Sequence, residues 1–492
     1  MSLINISNLT FSHNGGYDTI FDDVSFQIDT DWKLGFTGRN GRGKTTFMHL
    51  LCGKYEYSGI ISAPCGFEYF PYETPDKTLN TFELVETVCP NLLHWELVRE
   101  LSLLSLDEEV LYRPFDTLSN GEQTKILLAV LFLKKDRFLL IDEPTNHLDM
   151  HGRAVVRAYL NRKKGFILVS HDRAFLDGCI DHILSINKTN IEIQRGNFTS
   201  WLVNKERQDS FELAENEKLK KNIRHLSDAA KRTSDWSDKA EKTKYATKNS
   251  GLRPDRGYVG HKAANMMKRS KGIEARRKTA AEEKSRLLKN LEDAETLKIT
   301  QPTYHTNRFV TLDGVSILYG KKIACQNVSF SVEQGDRIAL CGGNGSGKSS
   351  ILKLICGESI THTGRFQKGS RLNISYISQD TSFLSGKLSD YARQKNLDES
   401  LFKTILRKLD FSRTQFETNM EDFSGGQKKK VLIAESLCTE AHLLIWDEPL
   451  NFIDITSRMQ IETLLITHKP TILFVEHDRV FCDQTATKKI EI

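Results

Sequence analysis

The sequence predicts a mixed α/β fold in two similar halves, joined by a long helical segment. Three observations predict it: segments that recur at an offset of about 304 residues, short apolar runs that end in acidic residues, and positive charge concentrated between the halves.

The recurrence is clearest with Lys44 aligned on Lys348. Ser119 lies 75 residues after the first lysine and Ser424 lies 76 after the second. Glu143 and Glu448 follow at 99 and 100, and His171 and His477 at 127 and 129. Matched intervals in one order make the chain a tandem repeat, and its 492 residues have room for two or three domains. The expected division is residues 1–197, a linker at 198–305, and residues 306–492.

Each half opens on a strand-like stretch of alternating character, Val24 to Ile28 and Val328 to Val332. The runs Phe138 to Ile141, Leu443 to Trp446, Phe166 to Val169 and Thr471 to Val475 are short and continuously apolar. Buried helix segments share that composition, but parallel strands covered on both faces fit it better and carry chemistry at their C-terminal ends.

Two segments match the pattern G-x-x-x-x-G-K-[ST]: Gly38-Arg39-Asn40-Gly41-Arg42-Gly43-Lys44-Thr45-Thr46, and Gly342-Gly343-Asn344-Gly345-Ser346-Gly347-Lys348-Ser349-Ser350. Glycines let backbone N–H groups approach phosphate and the following helix N-terminus favours an anion. The lysine pairs with β and γ oxygens, and Thr45 or Ser349 reaches Mg²⁺. Each loop is expected to hold one Mg·ATP. Asp142 and Asp447 end apolar runs, where they are expected to hold the metal. Glu143 and Glu448 beside them are expected to polarise the attacking water. His171 and His477 follow strands and precede Asp-Arg, as expected of an imidazole that bonds the γ-phosphate.

Together these segments resemble the ABC ATPase superfamily, with its Walker A loop, signature, Walker B and switch histidine. The fold class is then two ABC-type ATPase cassettes joined by a long antiparallel two-helix linker. The run Asp142-Glu143-Pro144-Thr145-Asn146-His147-Leu148-Asp149 and the Gly196-Asn197-Phe198-Thr199-Ser200-Trp201-Leu202 stretch are similar to the ABC-F subfamily. Arg256 to Lys262 and Met266 to Lys271 look like its Lsa-type antibiotic-resistance proteins. In such proteins the cassettes close head to tail. Site one then combines Lys44, Thr45, Asp142, Glu143 and His171 with Ser424, Gly425 and Gly426. Site two takes the complementary set, with Ser119, Asn120 and Gly121 as its signature.

The resemblance also implies an asymmetry. Tyr319 stands at the adenine-stacking position and Gln379 in the Q-loop of the second half, with Gln379 also facing Mg²⁺; the first half has His13 and Tyr72 there. Tyr72 offers no amide carbonyl, so slower hydrolysis is expected at site one. Asn120 replaces a signature glycine and is expected to tolerate left-handed backbone.

The linker carries the charge. Residues 215–290 hold 22 Lys or Arg and 10 Asp or Glu, a net +12, so with +5 overall the remainder carries −7. Leu219, Ile223, Leu226 and Ala230, with Ala281, Leu288, Leu291 and Ala294 on the return, predict two helices along a narrow apolar seam. Between them Gly251, Pro254, Gly257 and Gly260 predict an exposed loop, flanked by Lys244, Lys248, Arg253, Arg256, Lys262, Lys268 and Arg269. Tyr245, Tyr258 and His261 interleave with these cations, which suits phosphate neutralisation and stacking on unpaired RNA bases.

By resemblance the partner is the 70S ribosome. The protein would dock at the exit-site tRNA region and insert the tip residues Lys244, Tyr258, His261 and Lys262 toward 23S rRNA near the peptidyl-transferase centre. There it would dislodge lincosamides, pleuromutilins and streptogramin A compounds. A housekeeping ABC-F translation factor and a soluble DNA-repair ABC ATPase are the alternatives. The ATPase half of a transporter is disfavoured by the arm and by the short interval between phosphate loop and signature. The apolar stretches fall short of the roughly 20 residues of a membrane span, and Met1 to Asn5 shows no export signal. The reading is a cytoplasmic protein, monomeric off the ribosome and without a membrane subunit. The nine cysteines, with no Cys-x-x-Cys, read as reduced structural thiols.

Overall fold

The computed structural model describes residues 2–12, 19–72, 74, 76–90, 92–146, 148–186, 191–243, 256–287, 297–320 and 322–492. The chain divides into two compact units. One comprises Met1–Ile186, Asn190–Thr199 and Ala294–Ile492, and the other Asn187–Thr189 and Ser200–Asp293.

The first unit holds both repeats, each a central sheet with helices and a smaller antiparallel sheet. In the first repeat the central order is Gly66–Phe70, Arg137–Asp142, Phe166–Val169, Lys33–Thr37, His182–Ile186, Ile191–Arg195; the pairings are parallel except the last. The second repeat has Ile374–Ile377, Leu443–Asp447, Ile472–Val475, Arg337–Cys341, Lys488–Glu491, parallel throughout. All four short apolar runs are strands here, and their side chains are almost wholly buried. The α/β fold with paired cassettes is thus the observed one.

The alternating stretches fall in Thr19–Asp29 and Lys322–Glu333, which pair antiparallel with Leu3–Ser12 and Arg308–Tyr319. Their apolar faces close over the phosphate-loop helices Lys44–Leu51 and Lys348–Cys356 in continuous cores. Leu297 and Tyr304 are buried in the cores of the second repeat, so the chain before residue 305 already belongs to that body. All nine cysteines are unpaired thiols, three buried and six half-buried.

The second unit contains two long helices, Phe198–Thr243 and Arg256–Leu287. At 1.5 Å per residue the first is about 70 Å long. Leu219, Ile223 and Leu226 are half-buried, and Asn216, Ser270 and Ala280 are buried. The side chains of Ala230 and Ala281, and all of Lys244, Tyr245, Lys248, Gly251, Arg253, Pro254, Leu288, Leu291 and Ala294, lie outside the described residues.

One expectation is corrected. Gly257 and Gly260 do not interrupt the helix: Arg256 to Lys262 form its first two turns. A glycine costs a helix only about 1 kcal/mol, and 32 residues dominated by Ala, Lys, Arg, Glu and Met propagate through these two and through Gly272. Among the described residues no helix is long and apolar enough to cross a membrane.

Candidate active sites

Each phosphate loop runs from a central strand into a helix whose N-cap is a left-handed glycine, Gly43 at φ 89° and Gly347 at φ 92°. A Cβ at Gly43 would stand 2.5 Å from Ile20 Cγ2, and one at Gly347 2.8 Å from the Ala324 carbonyl, so only glycine closes either turn. Lys44 Nζ donates to Gly38 O at 2.6 Å and Arg39 O at 3.1 Å; Lys348 Nζ donates to Gly342 O at 2.9 Å and Gly343 O at 2.7 Å. Both ammonium groups are therefore held inside their loops. Burial lowers both lysine pKa values, against the pull of nearby carboxylates.

The Walker B carboxylates end the neighbouring strands. Asp142 Oδ2 accepts from Thr45 Oγ1 at 2.8 Å and from Tyr69 Oη at 3.0 Å. Ser349 and Tyr376 stand beside Asp447 at the corresponding positions. Burial raises both aspartates, and the hydroxyl of Thr45 or Ser349 opposes it. Asp447 Oδ1 is buried with no hydrogen-bond partner among the described residues, which is the chemistry of an oxygen kept for a cation. Thr45 with Asp142, and Ser349 with Asp447, therefore fit Mg²⁺, and the amide oxygen of Gln379 suits the same hard cation.

Glu143 and Glu448 share a left-handed backbone at φ 48°, a strained conformation for a non-glycine residue. His171 Nε2 lies 3.4 Å from Glu143 Oε1, and His477 Nε2 3.4 Å from Glu448 Oε1. Their electrostatics differ. Burial, then the Asp142 charge, pushes Glu143 up to about 8. Burial also pushes Glu448 upward, but His477, Lys429 and Asn451 outweigh it and hold that carboxyl below its ordinary value. Gln379 Nε2 donates to Glu448 Oε2 at 2.9 Å and Asn451 Nδ2 at 2.6 Å. Burial, with Lys44 and Arg458 nearby, drives the His171 imidazole well below its usual range.

The repeats meet head to tail. A cavity of about 750 Å³ is lined by Asn40, Gly41, Gly43, Lys44, Thr45, Thr46, Asp142, Glu143 and His171 of the first, and by Ser424, Gly425, Gly426 and Phe452 of the second. A second cavity, of about 490 Å³, joins Tyr319, Asn344, Gly345, Gly347, Lys348, Ser349, Ser350, Gln379, Glu448 and His477 to Ser119, Asn120 and Gly121. Gly38, Arg39, Gly342 and Gly343 give carbonyls to the lysines, while Arg42 and Ser346 line neither cavity. Asn40 Nδ2 donates to Phe452 O at 3.0 Å, and Arg39 pairs with Asp410 at 3.1 Å across the first junction. At the second, the Asp149 carboxylate lies against the Gly343-Asn344 backbone.

Ser119 and Ser424 each close a capping box, with Glu122 and Gln427, at the start of helices Asn120–Leu133 and Gly425–Cys438. Both helices thus present anion-favouring N-termini to the opposite repeat's loop. Asn120 is the first residue of its helix, so left-handed backbone plays no part there, contrary to expectation. Tyr319 bonds Ser350 Oγ at 3.3 Å. Tyr72 turns from the first cavity and donates to Leu127 O at 3.0 Å. His13 and His147 lie outside the described residues.

Sequence reasoning missed Tyr69, Tyr376, Lys429, Asn451 and Phe452. Tyr69 and Tyr376 each lie three residues before the Q-loop position, a recurrence that register comparison reveals. In the second unit Tyr258, His261 and Lys262 are exposed, and their spacing of three and four puts them on one helix face; Tyr258 is 67 % exposed. Lys244 lies outside the described residues.

The family model described as ABC transporter matches residues 21–146 and 325–451. The ribosome protection protein VmlR of Bacillus subtilis is 28 % identical over 100 % of this chain and 86 % of its own length. The ATP-binding protein Uup of Buchnera aphidicola is 27 % identical over 99 % and 80 %, and the erythromycin resistance ATP-binding protein MsrA of Staphylococcus epidermidis is 27 % identical over 94 % and 92 %. Among solved structures, the archaeal ribosome recycling factor aABCE1 superposes with TM-score 0.64 at 18 % identity, over 98 % of this chain and 87 % of its own. That likeness concerns the fold. With two matched segments spanning half its length, and a phosphate loop, aspartate, glutamate and histidine in each repeat, the chain belongs to the ABC transporter family, carries its ATP-binding cassette twice, and is an ATPase.

Proposed function

We propose that this chain is a cytoplasmic ABC-F protein that binds the 70S ribosome when ATP closes its cassettes, and that its two-helix arm acts near the peptidyl-transferase centre to displace bound antibiotic. The carrying observation is the joining of two composite nucleotide cavities and a basic arm in one chain. Relatives named for ribosome protection and for erythromycin resistance match it nearly end to end. Lincosamides, pleuromutilins and streptogramin A compounds are the proposed drugs.

In the proposed cycle, the loop N–H groups and Lys44 or Lys348 bind the phosphates of ATP. The opposite signature helix then closes over them through Ser424, Gly425 and Gly426, or Ser119, Asn120 and Gly121. Thr45 and Asp142, or Ser349, Asp447 and Gln379, would hold Mg²⁺, which would supply charge neutralisation of the phosphates. Glu143 or Glu448 takes the proton of the attacking water, and His171 or His477 donates to the γ-phosphate. Hydrolysis removes the ligand that bridges the cassettes, and they part.

Outside the nucleotide sites, Tyr258, His261 and Lys262 present an aromatic ring, an imidazole and a cation on one exposed face, suited to rRNA backbone and unstacked bases. The second reading, a translation factor that needs no drug, is favoured by the relative named simply as an ATP-binding protein. Deleting the gene and measuring inhibitory concentrations separates the two. Increased sensitivity to the three drug classes supports protection, and unchanged sensitivity to all of them leaves the translation factor.

A further inference from the structure

Thr124 and Lys429 occupy the same place in the repeat, each five residues after its signature serine. They do different things. Thr124 Oγ1 turns back on its own helix and donates to Asn120 O at 2.8 Å. Lys429, only 2 % exposed, reaches across to the sheet: its Nζ donates to Ser378 O at 2.9 Å and lies 3.5 Å from Asp447 O.

Those carbonyls stand at the ends of neighbouring parallel strands, Ile374–Ile377 and Leu443–Asp447. The residue after Ser378 is Gln379 and the residue after Asp447 is Glu448, and Gln379 Nε2 donates to Glu448 Oε2 at 2.9 Å. One buried ammonium therefore reaches both turns that carry this amide and this carboxylate. A buried cation persists only where oxygens surround it, and here those oxygens belong to the backbone that aims the site. Among the described residues of the first cassette no signature-helix side chain reaches the corresponding strand ends; Tyr72 instead reaches the other way, to the Leu127 carbonyl, and a cavity of about 460 Å³ lined by Phe70, Tyr72, Thr124 and Leu127 adjoins them.

We infer that Lys429 is a positioning residue of the second ATP site: by tying Ser378 and Asp447 together it fixes Gln379 against Glu448 and holds that carboxylate on the attacking water. The inference rests on the reading of Glu143 and Glu448 as the groups that act on water. Thr124 makes no such tie, so the second site turns over faster than the first.

The test uses the full chain carrying Glu143→Gln, so that turnover reports the second site. Adding Lys429→Met keeps the side-chain length and removes the donors. The expected result is a fall in kcat of about ten-fold to a hundred-fold, the range for groups that orient a catalytic shell, with KM for ATP and the melting temperature close to the parent's. Lys429→Arg, which restores N–H donors, recovers most of the rate. Should Lys429→Met fail to fold, Lys429→Thr, the residue the first cassette already carries, serves the same comparison. A Lys429→Met rate within about two-fold of the parent overturns the inference, as does a rate loss matched by a rise in KM, which marks lost binding rather than lost positioning. The Glu143→Gln, Glu448→Gln pair is the control: if it hydrolyses ATP like the parent, the catalytic assignment fails and takes the inference with it.

Discussion

Gln379 Nε2 hydrogen-bonds Glu448 Oε2 at 2.9 Å. In the first cassette the corresponding position holds Tyr72, whose hydroxyl is turned to the Leu127 carbonyl at 3.0 Å. Glu143 is thus without an amide partner from its own Q-loop. Glu448→Gln is therefore expected to lower total ATPase activity more than Glu143→Gln does. Steady-state phosphate release from the two single variants measures it, and equal losses or the reverse order refute the asymmetry.

Both substitutions together are expected to preserve ATP binding and reduce hydrolysis by about a hundred-fold or more, the usual share of a general base. The phosphate loops, signature helices and metal oxygens stay intact, so the closed form accumulates. Nucleotide retention, phosphate release and co-sedimentation with ribosomes in ATP check the three parts. Wild-type turnover in this variant rejects the role given to the two glutamates.

Lys430 and Asp454 form a buried ion pair at 2.7 Å, and Asp454 also accepts the Ser457 N–H at 2.9 Å. Burial opposes the Asp454 charge, but Lys430 outweighs it and depresses the carboxyl well below its ordinary value. A depressed carboxylate stabilises the fold fully above its unfolded pKa of about 4, and that contribution is lost as pH falls toward the folded value. Asp454→Asn keeps the helix cap and breaks the pair, and is expected to cost about 3 kcal/mol near neutral pH. Chemical denaturation at several pH values should show a deficit that is constant from about pH 8 to 5 and shrinks below about pH 4. A deficit that grows on acidification contradicts the pairing.

Tyr258→Ala is expected to abolish drug protection while leaving basal ATP hydrolysis nearly intact, because Tyr258 belongs to the arm and lines neither nucleotide cavity. The substitution is cleaner than deleting Gly257 to His261. Those residues are helical, and removing five would turn every later side chain by roughly 140° at 100° per residue. Susceptibility and ATPase measured side by side decide it, and full protection by Tyr258→Ala makes the tip a passive connector.

Single arm cations should matter less. Lys262→Ala is expected to weaken ribosome binding only modestly and to reduce the slope of log affinity against log salt by about 1. A salt titration of binding measures it, and an unchanged slope removes Lys262 from the phosphate contacts.

The nucleotide sites were legible in the sequence because backbone-phosphate chemistry demands fixed residues at fixed spacing. The strands could be read because burial on both faces leaves continuous apolar runs. Lys429 was hidden because a lysine in the middle of the run Lys428-Lys429-Lys430 reads as part of a solvated stretch; only its reach to Ser378 O identifies it. Asn40 and Phe452 were hidden because their bond joins residues 412 apart through a backbone carbonyl, which leaves no residue-type signature. The helix at Arg256 to Lys262 was misread because two glycines weigh heavily in a short window and little in a helix of 32 residues.

Each nucleotide cavity is walled by both halves of the chain, so neither half contains a complete enzyme. Covalent linkage sets the concentration at which the halves meet, about millimolar for tethered partners, whatever the amount of protein in the cell. Separately expressed halves would have to find each other by diffusion, and their activity would fall steeply on dilution where that of the intact chain would not. Copy number per cell therefore bears on how many partners are occupied, and leaves the assembly of each site untouched.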